Sequence, residues 1–251
     1  MRNGGGRITR VKTYYCGYCV NYLHRMVKNV PPGTRAFPAT AVLFQHEDDY
    51  YLFDTGFAPR ILRCGWRSKI YQMLNPVVCS VGDSLKEQLR ADGINPGQIK
   101  GIILSHLHPD HIGGLLDFPH SRIIISQKTH RTLQKANLSD LIFEDLLPGD
   151  LLTRMQVVDL RIIYDLFGDG SVLLKDISGH THGQTGMYLR EHNRFYAADS
   201  SWGSDLWELP LRFIARLLQK DYRAYQSNLK RVKHMQAMGI EIVLSHEVRH
   251  E

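Results

Sequence analysis

The string Ser105-His106-Leu107-His108-Pro109-Asp110-His111 constrains this chain more than any other feature. It places three imidazoles and one carboxylate within positions 106–111, a density that an ordinary surface loop does not call for. Imidazole and carboxylate together suit Zn(II), with Fe(II) and Mn(II) as alternatives. Residues 100–105 just upstream form a short apolar block after a glycine-containing turn and read as a buried strand. His106 and His108 therefore leave a strand end two residues apart, pointing the same way. Pro109 fixes a turn, and Asp110 and His111 open the segment that follows. Gly113-Gly114 lets that backbone pass close to its neighbours. Two sets of ligand-type residues thus leave one short loop, which suits two metals side by side.

The rest of the chain reads as an α/β protein. Its 251 residues, 43% of them hydrophobic, are enough to fill a sizeable core. Strands are expected over 7–15, 39–44, 50–53, 101–105, 122–125, 156–163, 171–177, 187–191, 194–198 and 241–244. Helices are expected from Asp83 or Ser84 through Ala91 with a stop at Gly93, over 127–136 behind a Ser126 cap, over 139–147, 210–219 and 222–238. Residues 57–80 read as irregular and suited to a flap. Residues 1–6 read as a flexible N-terminus, leaving one domain over 1–251. Strands grouped at both ends with helices between them suggest two sheets packed together under helices.

Composition narrows the function classes. No stretch approaches the ~18 uninterrupted apolar residues of a membrane span, and the polar N-terminus lacks the apolar block of a secretory signal, so a cytoplasmic protein is expected. The net charge of +6 invites a nucleic-acid partner, but the basic residues are dispersed, with modest clusters at 60–69 and 212–233, which argues against one. Cys16-Gly-Tyr-Cys19 has the spacing of a zinc knuckle but no second pair, and reads as structural thiols in an aromatic strand.

Three further strand ends carry ligand types. His180 and His182 follow the strand ending near Ile177, Asp199 terminates an apolar strand, and His246 terminates the last one. Asp54-Thr55-Gly56 closes an early strand in the same manner. Each residue alone has a structural explanation; jointly they describe a site on one rim of a sheet.

In order and spacing, His106-Leu-His108-Pro-Asp110-His111, His180, Asp199 and His246, together with Asp54-Thr-Gly56, resemble the metallo-β-lactamase superfamily. That resemblance implies a four-layer αβ/βα sandwich with metals at the sheet rim. It implies that His106, His108 and His180 hold one zinc ion, that Asp110, His111 and His246 hold a second, and that Asp199 bridges both. It further implies that Asp54 orients a histidine, that His182 belongs to the pocket rather than to the ligand set, and that Asp110 shuttles a proton to the leaving group. The implied chemistry is hydrolysis by a water acidified between two metals. Among branches, the pattern looks most like the N-acyl homoserine lactonases, so the expected substrate is a small molecule with an acyl or other apolar portion. That branch usually carries tyrosine three residues after the bridging aspartate. Here the position is Trp202, whose indole N–H could support a substrate oxygen or whose ring could pave an apolar wall. Glyoxalase II-like thioesterases and phosphodiesterases share the ligands and are the enzymatic alternatives; a ligand-binding regulatory protein is the non-enzymatic one. Phe57, Trp66, Tyr71 and Trp207 are further candidates for pocket walls, with core or lid packing as the alternative. Arg60, Arg63 and Arg67 could receive an anionic group or form a solvated loop.

Overall fold

The computed structural model describes residues 7–248, so the expected flexible segment 1–6 lies outside the described residues. Twelve strands build two sheets: β1 (Ile8–Tyr22), β2 (Thr34–His46), β3 (Asp49–Phe53), β4 (Val77–Val78), β5 (Ile99–Ile103), β6 (Arg122–Ser126), β7 (Met155–Val158), β8 (Tyr164–Asp165), β9 (Val172–Asp176), β10 (Thr185–Leu189), β11 (Arg194–Tyr196) and β12 (Glu241–Val243). The first sheet runs β4-β1-β2-β3-β5-β6-β7, and the second runs β12-β11-β10-β9-β8. In the first sheet β3, β5, β6 and β7 are parallel. In the second, antiparallel pairing of β10 with both β9 and β11, and parallel pairing of β11 with β12, make β9, β11 and β12 run the same way.

Period-two alternation explains the layering. Val42, Phe44, Phe53, Ile103 and Ile124 face the second sheet and pack with Val172, Leu174, Met187, Leu189 and Phe195. Their neighbours Ala41, Leu43, Leu52, Ile102, Ile123 and Ile125 face the other way, into a core shared with Leu85 and Leu89 of the helix Leu85–Ala91 and with Leu115 and Phe118. The helix Tyr222–Ala237 packs Val232 and Met235 against the second sheet's core. The result is helices outside two facing sheets, the four-layer α/β sandwich anticipated from the sequence. No helix among the described residues is long and apolar enough to cross a membrane.

Several local expectations are revised. β1 does not stop at residue 15 but continues to Tyr22, passing an irregularity between Tyr15 and Tyr18 at which Gly17 takes φ +75°. Residues 57–80 are not wholly irregular: they carry a 3-10 turn (Pro59–Arg63), a helix (Trp66–Leu74) and β4. The expected helix over 139–147 is instead a pair of 3-10 turns, Leu138–Asp140 and Glu144–Leu146. β7 stops at Val158, and the expected helix over 210–219 is confined to Phe213–Leu217. The Ser126 cap is present, its hydroxyl accepting from Thr129 N at 3.0 Å, and Gly93 ends its helix with φ +77°.

Candidate metal centre

Five strands deliver side chains to one rim, each just past its C-terminal end. β3 is followed by Asp54, β5 by the 106–111 loop, β9 by His180, β11 by Asp199 and β12 by His246. The short helix Pro109–Ile112 carries Asp110 and His111 with Pro109 in its first turn. Its approach depends on Gly113 and Gly114: a Cβ on Gly113 would lie 2.7 Å from the Gly56 carbonyl oxygen, and one on Gly114 2.8 Å from that of Thr55. The expected close passage of the Gly-Gly pair is therefore a contact with the Asp54-Thr55-Gly56 turn.

All seven candidate ligands converge, in two groups. His106, His108 and His180 form one; Asp110, His111, Asp199 and His246 form the other, with candidate ligand atoms in each group within 4.8 Å of one another. Asp199 lies between them. Its Oδ1 is 3.2 Å from His111 Nε2, and its Oδ2 is 3.1 Å from His246 Nε2 and 3.3 Å from His180 Nε2. Asp110 Oδ2 is 3.6 Å from both His111 Nε2 and His246 Nε2. His108 Nδ1 meets His180 Nε2 at 3.1 Å. Asp199 reaches this position past a left-handed Ala198 (φ 42°), a backbone strain of the kind that collects at functional sites.

The outward-facing ring nitrogens of His106, His111, His180 and His246 are fixed by neighbours, which aims the opposite nitrogens inward. His111 Nδ1 donates to Asp54 Oδ2 at 2.8 Å. Ser105 donates its backbone N–H to Asp54 Oδ1 and its hydroxyl to Oδ2, each at 2.7 Å, and that hydroxyl lies 3.0 Å from His106 Nδ1. Asp54 therefore orients one histidine of each group, His111 directly and His106 through Ser105. His180 Nδ1 donates to Gln219 Oε1 at 3.0 Å, while Gln219 Nε2 donates to the Ala215 carbonyl and so fixes the amide's orientation. His246 Nδ1 donates to the Pro38 carbonyl at 2.8 Å. Of these supports only Asp54 was expected. Ser105 borders the histidine string, but Gln219 and the Pro38 carbonyl leave no sequence signal.

The donor set suits divalent cations. His106 Nε2, His111 Nε2 and Asp199 Oδ1 are buried without a hydrogen-bond partner. Such atoms are costly unless something else satisfies them, and a cation at the centre of these lone pairs would do so. Burial, and then the neighbouring imidazoles, hold His106 and His108 well below the usual histidine range, so both rings stay neutral and able to ligate. Burial also opposes charge on His111 and His246, but the carboxylates of Asp199 and Asp110 overcome it and raise both. Asp199 is itself held well below the usual carboxylate range; burial opposes this, and His246 and His111 outweigh it. The centre thus sets the Asp199 and Asp110 carboxylates among five imidazoles.

A cleft opens over this centre, lined by His108, Asp110, His180, Asp199 and His246 and walled by Cys19, Asn21, Met26, Phe37, Tyr71, Asn75, Leu141, Trp202 and Leu218. Trp202 and Tyr71 thus join the site. Phe57 is core, Trp66 is largely exposed elsewhere, and Trp207 packs with the inter-sheet core. His182 is exposed and outside both groups, which leaves His180 as the inward histidine. Arg60 is paired with Asp117 at 2.5 Å rather than directed at the cleft. Cys16 and Cys19 are both free and buried, Cys16 beneath Gly56 and Cys19 at the cleft.

Comparison with known proteins agrees with this architecture. The N-acyl homoserine lactonase AiiB of Agrobacterium fabrum is 35% identical over 96 residues, 38% of this chain and 35% of that protein. YobT of Bacillus subtilis, an uncharacterized protein, is 25% identical over 154 residues, 54% of this chain and 66% of that one. The chain spans less than half the length of the lactonases it matches. Among solved structures, an N-acyl homoserine lactone hydrolase with N-hexanoyl-L-homoserine at its catalytic metal centre superposes with a TM-score of 0.75 at 19% identity, covering 97% of this chain and 95% of that one. AidC, a dizinc quorum-quenching lactonase, does so at 0.69 and 18%, covering 94% and 86%. The model of the metallo-beta-lactamase superfamily matches residues 34–244, and with its strand-end ligand types and two-sheet sandwich the chain belongs to that superfamily.

Proposed function

We propose that this protein is a dinuclear metal-dependent hydrolase, with zinc as the expected metal, that opens an ester-type bond in a small acyl substrate, a lactone first. The observation that carries the reading is Asp199, whose two oxygens contact inward nitrogens from both groups, His180 on one side and His111 and His246 on the other. In this reading His106, His108 and His180 hold one ion, Asp110, His111 and His246 the other, and Asp199 both. Divalent ions held by these residues would supply an acidified water and a Lewis acid for the oxygen of the scissile bond. The chain's own contribution is positional. Asp54, Ser105, Gln219 and the Pro38 carbonyl fix the ring orientations, and Asp110, which lines the cleft, carries a proton to the leaving oxygen.

The walls favour an apolar portion on the substrate. Met26, Phe37, Leu141, Trp202 and Leu218 line the cleft, and the helix behind Tyr71 leaves Ile70, Met73 and Leu74 exposed. Similarity to acyl homoserine lactonases supports a lactone within this class. The test is metal content followed by turnover on N-acyl homoserine lactones, acyl thioesters and a chromogenic phosphodiester. Stoichiometric metal with lactone turnover supports the reading; a preference for thioester or phosphodiester replaces it, and absence of metal favours a binding protein.

Two substitutions probe the parts. Asp54→Asn removes a charge that orients a histidine of each group. It is expected to weaken affinity at both positions by about 10–100-fold, read by competition with a chelator; a loss confined to one position would contradict the shared role. Trp202→Tyr is expected to shift relative kcat/KM between short- and long-chain lactones with metal content unchanged. Loss of metal would make Trp202 a structural residue instead.

A further inference from the structure

Three segments that border the cleft carry no acidic residue. Residues 18–37, 55–82 and 209–220 hold ten Lys and Arg and no Asp or Glu. The remainder of the chain has 21 Lys and Arg against 25 Asp and Glu, so the net charge of +6 originates in these segments. Separate in sequence, they are joined in the fold. β1 pairs with β4 at Tyr18–Val78 and Cys19–Val77, and Asn21 Nδ2 donates to Asn75 Oδ1 at 3.1 Å. Lys28 N donates to the Pro210 carbonyl at 2.9 Å, and Arg212 N to that of Met26 at 2.8 Å. Each segment also supplies cleft walls: Asn21 and Met26 from the first, Tyr71 and Asn75 from the second, Leu218 from the third.

Three of the ten charges are compensated, Arg35 by Asp205, Arg60 by Asp117 and Lys220 by Asp140. Arg25, Lys28, Arg63, Arg67 and Lys69 are exposed and form no ion pair among the described residues. Arg212 and Arg216 donate to the backbone carbonyls of His24 and Leu211, not to carboxylates. Glu144 and Asp145 border Trp66 and Arg67 at one edge, where Asp145 accepts from Gly65 N. Among these cations two helices turn their apolar residues outward. Trp66, Ile70, Met73 and Leu74 of one helix are 49–82% exposed, and Phe213, Ile214 and Leu217 of the other are 66–73% exposed. A surface helix ordinarily buries such residues. The Arg25 guanidinium lies over the Tyr22 ring and that of Arg67 over Trp66, 4.5 and 5.7 Å from the centroids. Aromatic and basic groups side by side suit a headgroup layer.

We propose that this face binds the surface of an anionic lipid bilayer, lying on it rather than crossing it. Charge selects the occupant. A second copy in a two-fold contact would set the patch, and its unpaired cations, against itself. A nucleic acid would meet the cations but offers no apolar phase for Met73 or Phe213. A bilayer with anionic headgroups receives both kinds of group.

The full chain is floated with vesicles of phosphatidylcholine alone or with about 30% phosphatidylglycerol. Flotation is expected with the anionic vesicles only, and is expected to fall as salt rises from about 0.1 M to about 1 M. Tryptophan emission should move to shorter wavelength on binding, because Trp66 is the largely exposed tryptophan while Trp202 is buried. Each Lys or Arg at such a surface is worth about fivefold in partitioning, so the triple variant Arg63→Gln, Arg67→Gln, Lys69→Gln should bind about 10²-fold more weakly. Met73→Ser with Leu74→Ser, and separately Phe213→Ser with Leu217→Ser, should each lose about tenfold. Wild-type melting temperatures in these exposed-site variants would tie the losses to the surface itself. No flotation with anionic vesicles would overturn the proposal, as would equal binding to phosphatidylcholine alone or full binding by all three variants. A wild-type dimer in sedimentation that Met73→Ser with Leu74→Ser disperses would assign the face to a second copy instead. None of these measurements depends on zinc or on turnover, so failure here leaves the hydrolase reading untouched, and failure of that reading leaves this one.

Discussion

Asp199→Ala is expected to lose metal and activity together. The carboxylate touches His180 in one group and His111 and His246 in the other at 3.1–3.3 Å, so its two oxygens lie between both positions. Without it, five imidazoles and one carboxylate, Asp110, are left as candidate ligands for two divalent ions. A metal site contributes several kcal/mol of charge stabilisation, and its loss corresponds to about 10³-fold or more in kcat/KM. Metal stoichiometry after extensive dialysis, measured beside kcat/KM on the best substrate, is the check. Retention of one equivalent with partial activity would make Asp199 a ligand to a single position, and full stoichiometry with wild-type rate would remove it from the centre. Asp199→Asn refines the result. It keeps the shape, and therefore separates the need for charge from the need for an oxygen between the groups.

Why the ligand types were legible, and the cleft walls were not, follows from where each signal resides. His106, Asp199 and His246 all terminate short apolar runs, and β5, β11 and β12 end just before them. Chemistry held at a strand end is announced by the strand. The two-sheet core was legible for the same reason, because Val42, Ile103 and Ile124 alternate with Leu43, Ile102 and Ile123 between two apolar surroundings. The helix Trp66–Leu74 gave no such pattern. It buries Ser68 and Tyr71 while exposing Trp66, Ile70, Met73 and Leu74, which inverts the usual amphipathic order. Phe213–Leu217 does likewise, burying Ala215 and exposing Phe213, Ile214 and Leu217. A helix whose apolar face looks outward beside a cleft does not reveal itself through periodicity. Gln219 follows that second helix, and its role depends on one backbone carbonyl, that of Ala215, which no side-chain pattern encodes.

Gly56→Ala is expected to be the most destabilising of the small substitutions, and to disturb the centre from a distance. Gly56 takes φ +63°, and a Cβ there would lie 2.2 Å from Cys16 Cβ and 2.9 Å from its Sγ. Cys16 is fully buried on β1, so it has no open side to yield toward. Nor can the turn retreat, because Gly113 and Gly114 already press on its far side. Left-handed strain of about 1–2 kcal/mol and overpacking of about 1–3 kcal/mol or more combine to about 2–5 kcal/mol. For a chain of this size that lowers the melting temperature by about 5–20 °C. Gly93→Ala separates the two causes. Gly93 has φ +77° with nothing within 4 Å of its added Cβ, so it carries backbone strain without the clash and should cost about 1–2 kcal/mol. The site responds only to the first substitution, because Thr55 donates its N–H and its hydroxyl to the His111 carbonyl at 2.8 and 2.9 Å, and Asp54 grips His111 Nδ1. Displacing the turn therefore shifts His111 itself. Thermal melts with and without metal, beside chelator competition, should show Gly56→Ala losing both stability and metal affinity while Gly93→Ala loses a little stability alone. Equal melting temperatures for the two variants would mean that the Cys16 contact relaxes freely and that the turn does not brace the centre.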